Sequence, residues 1–79
     1  MEQNATAEIK AHLMQTNEKF RDLAEKHSAY KKQIQDLEAK HALTADEEME
    51  EHRLKKLKLH LKDEMEHMVS EYSRLQHAG

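Results

Sequence analysis

The sequence contains no cysteine, no proline and no tryptophan, and its only glycine is Gly79. The absence of cysteine excludes disulfide bonds and thiolate metal sites. Because glycine and proline are missing from the interior, tight turns between strands lack their usual residues. The strong helix formers alanine, glutamate, lysine, leucine, glutamine and methionine dominate instead. We therefore expect an all-α protein.

Bulky apolar side chains are also scarce, since the 79 residues include one Phe and two Tyr. A domain of this size buries a modest share of its surface and is marginally stable alone. Disulfides, a structural metal or oligomerisation usually support such domains. With disulfides excluded, oligomerisation is the leading support, and we expect a homodimer.

Long hydrophobic runs are missing as well. No apolar run approaches the ~20 residues that span a bilayer, and residues 1–10 lack the apolar centre of a secretory signal. The net charge of −3 provides no global attraction to nucleic acid or to an anionic membrane. We expect a cytoplasmic protein without membrane contact.

What the first half of the chain does contain is an apolar seam. Asn4 and Thr6 are candidate N-caps for its start. The unbroken pattern favours one long helix that ends near residue 41. The seam positions alternate in spacing between four and three residues, as in the heptads of a coiled coil, and they are Ile9, Leu13, Thr16, Phe20, Leu23, His27, Tyr30, Ile34, Leu37 and His41.

A second pair of capping residues lies inside this seam. Thr16 and Asn17 are both residues that favour helix N-caps. They favour a break, whereas the continuous seam favours a single helix. We expect an N-terminal helical segment at about 4–16, a kink at this pair, and helix 1 over about 17–41.

The turn between the two main helices has a clearer signal. Thr44 and Glu47 form a T-x-x-E capping box, in which each side chain bonds the backbone amide of the other residue. Acidic residues at 46–48 add negative charge where the helix dipole favours it. A short connection makes two long helices antiparallel neighbours. We expect the turn at 42–45 and helix 2 over about 45–76.

Helix 2 carries an apolar seam of its own. The seam contains two successive spacings of four, a stutter that locally unwinds a left-handed supercoil, and its positions are Leu54, Leu57, Leu61, Met65, Met68, Tyr72 and Leu75. Two helices that touch along one line leave much of both seams facing water, and pairing two hairpins closes them. The predicted fold is an antiparallel two-helix hairpin that dimerises through these seams into a four-helix bundle or coiled-coil-like assembly.

Two motifs resemble a known family. One is F-x-x-L-x-x-x-H, formed by Phe20, Leu23 and His27, and the other is K-K-x-K-L-x-L-K-D-E at residues 55–64. Together they resemble the YdcH-like family of short bacterial proteins, a domain of unknown function numbered 465. The resemblance covers roughly residues 13–72 and implies a small helical hairpin, with no assigned reaction.

Basic residues concentrate in the second motif. Lys55, Lys58 and Lys62 share one helix face away from the seam, which suits phosphate, nucleic acid or an acidic partner. Acidic blocks flank this segment, and no aromatic side chain on that face can stack on a base. A solvated amphipathic face therefore stays the simpler interpretation. Anion or nucleic-acid binding through this basic face of helix 2 is the alternative function.

The hairpin register also brings like charges level with each other. Lys31 and Lys32 lie level with Lys56 and Lys58 across the expected turn. Like charges at one level do not suit a self-sufficient hairpin. An offset second hairpin would bring acidic segments against this basic region, and such a dimer would weaken as salt screens the charges.

The histidines are the candidate metal ligands. His60, Glu64 and His67 share a helical face, and imidazole and carboxylate groups bind zinc or nickel. No second pair at ligand spacing completes the site, so these residues are also interpreted as solvated polar groups. Metal binding is the second alternative function, and we expect no cofactor.

His27 differs because it occupies the seam. One interpretation is a polar residue that is hydrogen-bonded across the helices and sets their register. The other is a ligand or a switch. If His27 is buried in its neutral form, the assembly should loosen below about pH 6, because the unfolded state takes up the proton first.

Catalysis has little support in the residue inventory. The sequence has no cysteine and no glycine-rich phosphate loop. Ser28, Ser70 and Ser73 fall within the predicted helices, and no arrangement of a general base and a residue that orients it accompanies them. The best interpretation is a small helical interaction protein that acts through homo-oligomerisation and protein contacts. We expect no enzymatic activity and no small-molecule substrate, while a further protein partner stays open.

Overall fold

The structure is a computed structural model that describes the backbone of residues 2–77 and the side chains of residues 6–76. It contains three helices, α1 (Glu2–Thr16), α2 (Glu18–Glu38) and α3 (Ala45–His77), and no strand within the described residues. The prediction of an all-α protein is confirmed. The molecule is a rod of 54 × 19 × 19 Å. Its length is close to the ~50 Å that the 33 residues of α3 span.

A single non-helical residue, Asn17, separates α1 from α2. Its backbone is extended, with φ −123° and ψ 111°, and its side chain accepts a hydrogen bond from the Phe20 amide at 2.9 Å. The Asn17 amide still donates to the Leu13 carbonyl at 2.8 Å. The Thr16 hydroxyl donates to the His12 carbonyl at 2.8 Å. The two helices therefore meet at a capped kink, at the pair where the seam was expected to break.

The start of α1 differs from the expectation. The helix begins at Glu2, so Asn4 and Thr6 lie inside its first two turns rather than at its N-cap. The side chain of Asn4 lies outside the described part of the chain. No glycine or proline opposes helix formation in this segment, so the helix extends past both candidate caps.

Helix α2 ends earlier than the seam predicted, at Glu38 rather than near His41. The amide of Ala39 donates to the Gln35 carbonyl at 3.0 Å, and the amide of Lys40 donates to the Leu37 carbonyl at 3.1 Å. His41 occupies a seam position but is exposed, so extending the helix to it would gain no packing. The chain reversal takes residues 39–44 instead of 42–45.

Both hydrogen bonds of the capping box are present at the start of α3. The Thr44 amide donates to Glu47 Oε1 at 3.0 Å, and the Glu47 amide donates to Thr44 Oγ1 at 3.1 Å. Lys40 also pairs with the Glu47 carboxylate across the turn. Glu47 thus connects the end of α2 to the first turn of α3.

The long helix α3 packs antiparallel to α2 and continues along α1. Near the turn, Lys55 lies 3.3 Å from Glu38. At the opposite end, the rings of His12 and Tyr72 lie 5.1 Å apart at a tilt of 41°. The described core is formed by seam residues from all three helices, and they are Leu13, Phe20, Leu23, Ile34, Leu54 and Leu61.

Candidate interaction surfaces

The hairpin closes only part of its predicted seam. Phe20 and Leu54 are each 1% exposed, so the centre of the seam is sealed within one chain. Leu75 is 69% exposed. Thr16 and His41 are also exposed, and the remaining predicted seam residues are half-buried, namely Ile9, His27, Tyr30, Leu37, Leu57, Met65, Met68 and Tyr72. The expectation that much of both seams faces water is therefore wrong for the six buried positions and holds wholly or in part for the others.

Several of these half-buried residues lie on one side of the rod. Leu57, Met68 and Leu75 are separated by eleven and seven residues, which places them on one side of α3. Tyr30 and Leu37 are seven apart on α2. Glu50 lies one heptad before Leu57 and therefore on the same side of α3. Leu37 and Glu50 border one shallow depression, which places the α2 residues on this side of the rod as well. We call the five residues Tyr30, Leu37, Leu57, Met68 and Leu75 the lateral stripe.

Ion pairs within α3 border the lateral stripe. The Arg53 Nε donates to Glu50 Oε2 at 3.3 Å, and the Glu50 carboxylate raises the pKa of the guanidinium. The Arg74 Nη2 donates to Glu71 Oε2 at 2.6 Å. These charges neutralise each other locally, so the stripe has an apolar centre and a polar rim.

A second feature lies on the other side of the rod, where α1, α2 and α3 border a cleft of about 320 Å³. Four ammonium groups and one imidazole line it, opposed by a single carboxylate, that of Glu66. The Lys62 ammonium lies 4.0 Å from this carboxylate, which is the limit of an ion pair. We call this the basic cleft, and its cationic residues are Lys10, His27, Lys31, Lys58 and Lys62.

The pKa of the His27 imidazole depends on the charges that line the basic cleft. Partial burial lowers its pKa below the usual 6.5, and the positive charges of Lys58, Lys31 and Lys62 lower it further. No carboxylate contributes in the opposite direction. Among the described side-chain hydrogen bonds, none involves His27. It is therefore not the hydrogen-bonded register residue that its seam position suggested.

The three lysines predicted as an anion site are divided by the structure. Lys58 and Lys62 line the basic cleft. Lys55 does not join them, since its ammonium pairs with Glu38 at 3.3 Å and with Glu51 at 3.9 Å. Periodicity places Lys55 on the same face, but the carboxylate at the end of the facing helix neutralises it.

Sequence reasoning did not assign Lys10 and Lys31 to a site with Lys58 and Lys62. A signal for them exists in the seam. Lys10 and Lys31 each follow a seam residue directly and are three heptads apart, which places both on the same side of the first two helices. That this side of α1 and α2 faces Lys58 follows only from the alignment of α2 and α3 across the turn.

The candidate metal ligands are exposed and paired separately. His60 Nε2 lies 3.6 Å from Glu64 Oε1, and His67 Nε2 lies 4.0 Å from Glu71 Oε1. The two imidazoles thus face different carboxylates. Within the described residues, no group of three or more potential ligands converges on one point.

A helix that crosses a bilayer needs about 20 consecutive residues of apolar character. In the part of the chain that the structure describes, no helix has both the length and the apolar character that a bilayer crossing requires. The cytoplasmic location expected from the sequence stays a prediction.

Known proteins place this architecture in a family. Residues 20–69 match the family described as "Protein of unknown function (DUF465)". No curated protein and no solved structure matches the chain significantly. The matched region contains Lys31, Lys58 and Lys62, and it leaves Lys10 outside. Since the match covers well over half of the chain, and its range includes both motifs that suggested the resemblance, this protein belongs to the DUF465 family.

Proposed function

We propose that this protein is a helical interaction protein that acts as a homodimer, with two hairpins paired through their lateral stripes. The observation that carries the proposal is the stripe itself. Five seam residues on one side of the rod stay partly or largely exposed, although the same seam seals a core at Phe20 and Leu54. A second hairpin laid side by side would complete a four-helix bundle.

The accessible surface of the chain supports this assembly. The chain exposes 6281 Å², whereas a compact protein of 9.3 kDa exposes about 5,000 Å². A standard protein interface buries about 800 Å² on each partner. The excess surface of the rod is thus more than sufficient for one such contact.

A symmetric pairing also suits the chemistry of the stripe. In a twofold dimer the same patch meets itself, so it must be self-complementary. The stripe has an apolar centre, and its bordering charges pair within each chain, as Glu50 does with Arg53. Contact between two such surfaces brings together apolar side chains and locally paired rim charges, whereas two basic clefts would repel each other.

We also propose that the protein acts by contact rather than by catalysis. Ser28, Ser70 and Ser73 are the hydroxyl groups that sequence analysis considered as nucleophiles. Within the described residues, no hydrogen bond joins any of them to a histidine. A hydroxyl without a base beside it is a weak nucleophile.

Light scattering coupled to gel filtration tests the dimer. We expect the wild-type chain to elute as a dimer at micromolar concentration. Leu75→Glu and Leu57→Glu each place a carboxylate in the stripe, so they should yield monomers. Met49→Glu is the matched control, because Met49 is 72% exposed and lies on the face of α3 that points away from α2.

Helical circular dichroism separates loss of pairing from loss of folding. Leu75 is largely exposed, so Leu75→Glu should keep wild-type helicity as a monomer. A wild-type monomer at micromolar concentration would refute the proposal. Equal weakening of the dimer by Met49→Glu would show that the stripe is not the interface.

A further inference from the structure

We propose that the basic cleft is a binding site for a compact anion that carries two or more phosphate groups. The site is formed by Lys10 from α1, by His27 and Lys31 from α2, and by Lys58 and Lys62 from α3. It lies on the other side of the rod from the lateral stripe and does not depend on the dimer.

The convergence of lysines is the first step of the argument. Like charges that face each other cost stability, and a folded protein without a ligand gains nothing by gathering them. Two lysines outside the cleft have acidic partners, since Lys55 pairs with Glu38 and Lys40 pairs with Glu47. In the cleft, one carboxylate, that of Glu66, faces four ammonium groups. An anion of several charges supplies the missing partner.

The surroundings of His27 provide a second observation. Partial burial and then the positive charges of three cleft lysines lower the pKa of this imidazole, and no carboxylate opposes them. The cleft walls also include Leu59 and Met65. Low-dielectric walls strengthen the attraction of a charged ligand. Lysine is a common phosphate ligand that acts as a point charge.

The shape of the site favours a compact ligand over a long polyanion. The four lysines surround one cleft of about 320 Å³, at the lower end of the range for small-molecule sites. They do not follow a stripe along the rod, and no aromatic ring lines the cleft for base stacking. The net charge of −3 would repel a long strand or an anionic membrane outside the cleft.

Isothermal titration calorimetry at low salt tests the site with two probes. Tripolyphosphate presents the phosphate groups alone, and adenosine triphosphate presents them on a nucleotide. We expect saturable binding of tripolyphosphate at one site per chain. If adenosine triphosphate binds more tightly than tripolyphosphate, the base contacts Leu59 and Met65. If the two bind equally, the cleft recognises the phosphate groups alone.

Paired lysine variants locate the site. Lys58→Gln and Lys31→Gln remove charges from opposite walls of the cleft, and each should weaken binding about tenfold, the effect of losing one hydrogen bond to a charged group. Lys55→Gln removes the same charge outside the cleft and should change binding less than twofold. The imidazole signal of His27 should titrate at higher pH when tripolyphosphate is bound, because the anion offsets the lysine charges.

Several outcomes would overturn the proposal. No heat of binding with either probe would end it, as would equal weakening by Lys55→Gln. Tighter binding to single-stranded DNA or to vesicles of anionic lipid than to tripolyphosphate would assign the cleft to a macromolecule instead. Dissociation of the dimer by Lys58→Gln would mean that the cleft holds an acidic segment of a second chain.

Discussion

His27 lies close to charged side chains from several helices. It lies at a seam position of α2, where a coiled coil would place an apolar side chain. Lys31 follows one turn later on its own helix, and Lys58 and Lys62 approach from α3. Lys10 of α1 and Glu66 of α3 complete the ring of charged groups around the cleft. Protonation of the imidazole would add a positive charge to this cluster.

The pKa of His27 predicts how stability depends on pH. Burial and the neighbouring lysines lower the folded-state pKa below 6.5, so the unfolded chain takes up the proton first. The contribution of His27 to stability is therefore complete above about pH 6.5 and is lost as the pH falls toward the folded pKa. We expect the wild-type melting temperature to fall between pH 7.5 and 5.5.

Two variants isolate this contribution in thermal melts. His27→Gln should remove part of the decrease, because glutamine does not titrate. His60→Gln is the control, since His60 lies on the exposed face of α3, and it should melt with the pH dependence of the wild type. Identical pH dependence of His27→Gln and the wild type would contradict the account.

At the residue scale, the sequence placed His27 correctly in the seam but not its surroundings. Its register position follows from heptad spacing alone. The ammonium groups around it come from three helices, and which lysines meet depends on the length of the turn. Lys55 illustrates the same difficulty, because its pairing with Glu38 could not be read from the periodicity of one helix.

The turn between α2 and α3 is the element that fixes this register. Glu47 bonds the Thr44 amide and pairs with Lys40, and both interactions lower the pKa of its carboxyl, the pairing with Lys40 most strongly. The charged form of Glu47 thus stabilises the folded state above about pH 4.5, and this contribution is lost as acid titrates the folded carboxyl. A shift of one residue here would move the core residues of α3 out of contact with α2.

Thr44→Ala tests the strength of the cap. The substitution removes the side-chain oxygen that accepts from the Glu47 amide, so it should lower the free energy of unfolding by about 1 kcal/mol. Chemical denaturation followed by circular dichroism measures the change. Ser70→Ala, on an exposed position inside α3, serves as the control and should be neutral or slightly stabilising. An unchanged stability of Thr44→Ala would mean that the box does not anchor the turn.

Element boundaries were predictable where a side chain marks them. The start of α3 follows from the Thr44 and Glu47 spacing, and the kink follows from Asn17, whose side chain caps α2. The end of α2 has no such marker, since no glycine stops the helix and the heptad pattern runs on to His41. The helix ends three residues earlier, and residues 38–41 are exposed, so extending it to His41 would bury nothing more.

The molecule as a whole is a thin rod with two different sides. A rod 19 Å across has room for one layer of packed helices, so its seam cannot close completely within one chain. The lateral stripe keeps apolar surface on one side, and the basic cleft collects charge on the other. Pairing through the stripe would leave two basic clefts on the outside of the dimer.

At this scale, the sequence predicted the hairpin, and all six buried core residues lie at predicted seam positions. It also indicated that Lys31 and Lys58 lie at the same position along the hairpin axis. It did not show which seam residues are buried within a single chain. That division depends on how α1 continues along α3, as the contact of His12 with Tyr72 demonstrates.

The central claim is that two hairpins pair through the lateral stripe, and an isotope-filtered NOE experiment on a mixture of labelled and unlabelled chains tests it most directly. We predict intermolecular NOEs among Leu37, Leu57 and Met68, and none to Leu59 in the basic cleft. Intermolecular NOEs to Leu59, or none at any concentration that the sample tolerates, would contradict the account.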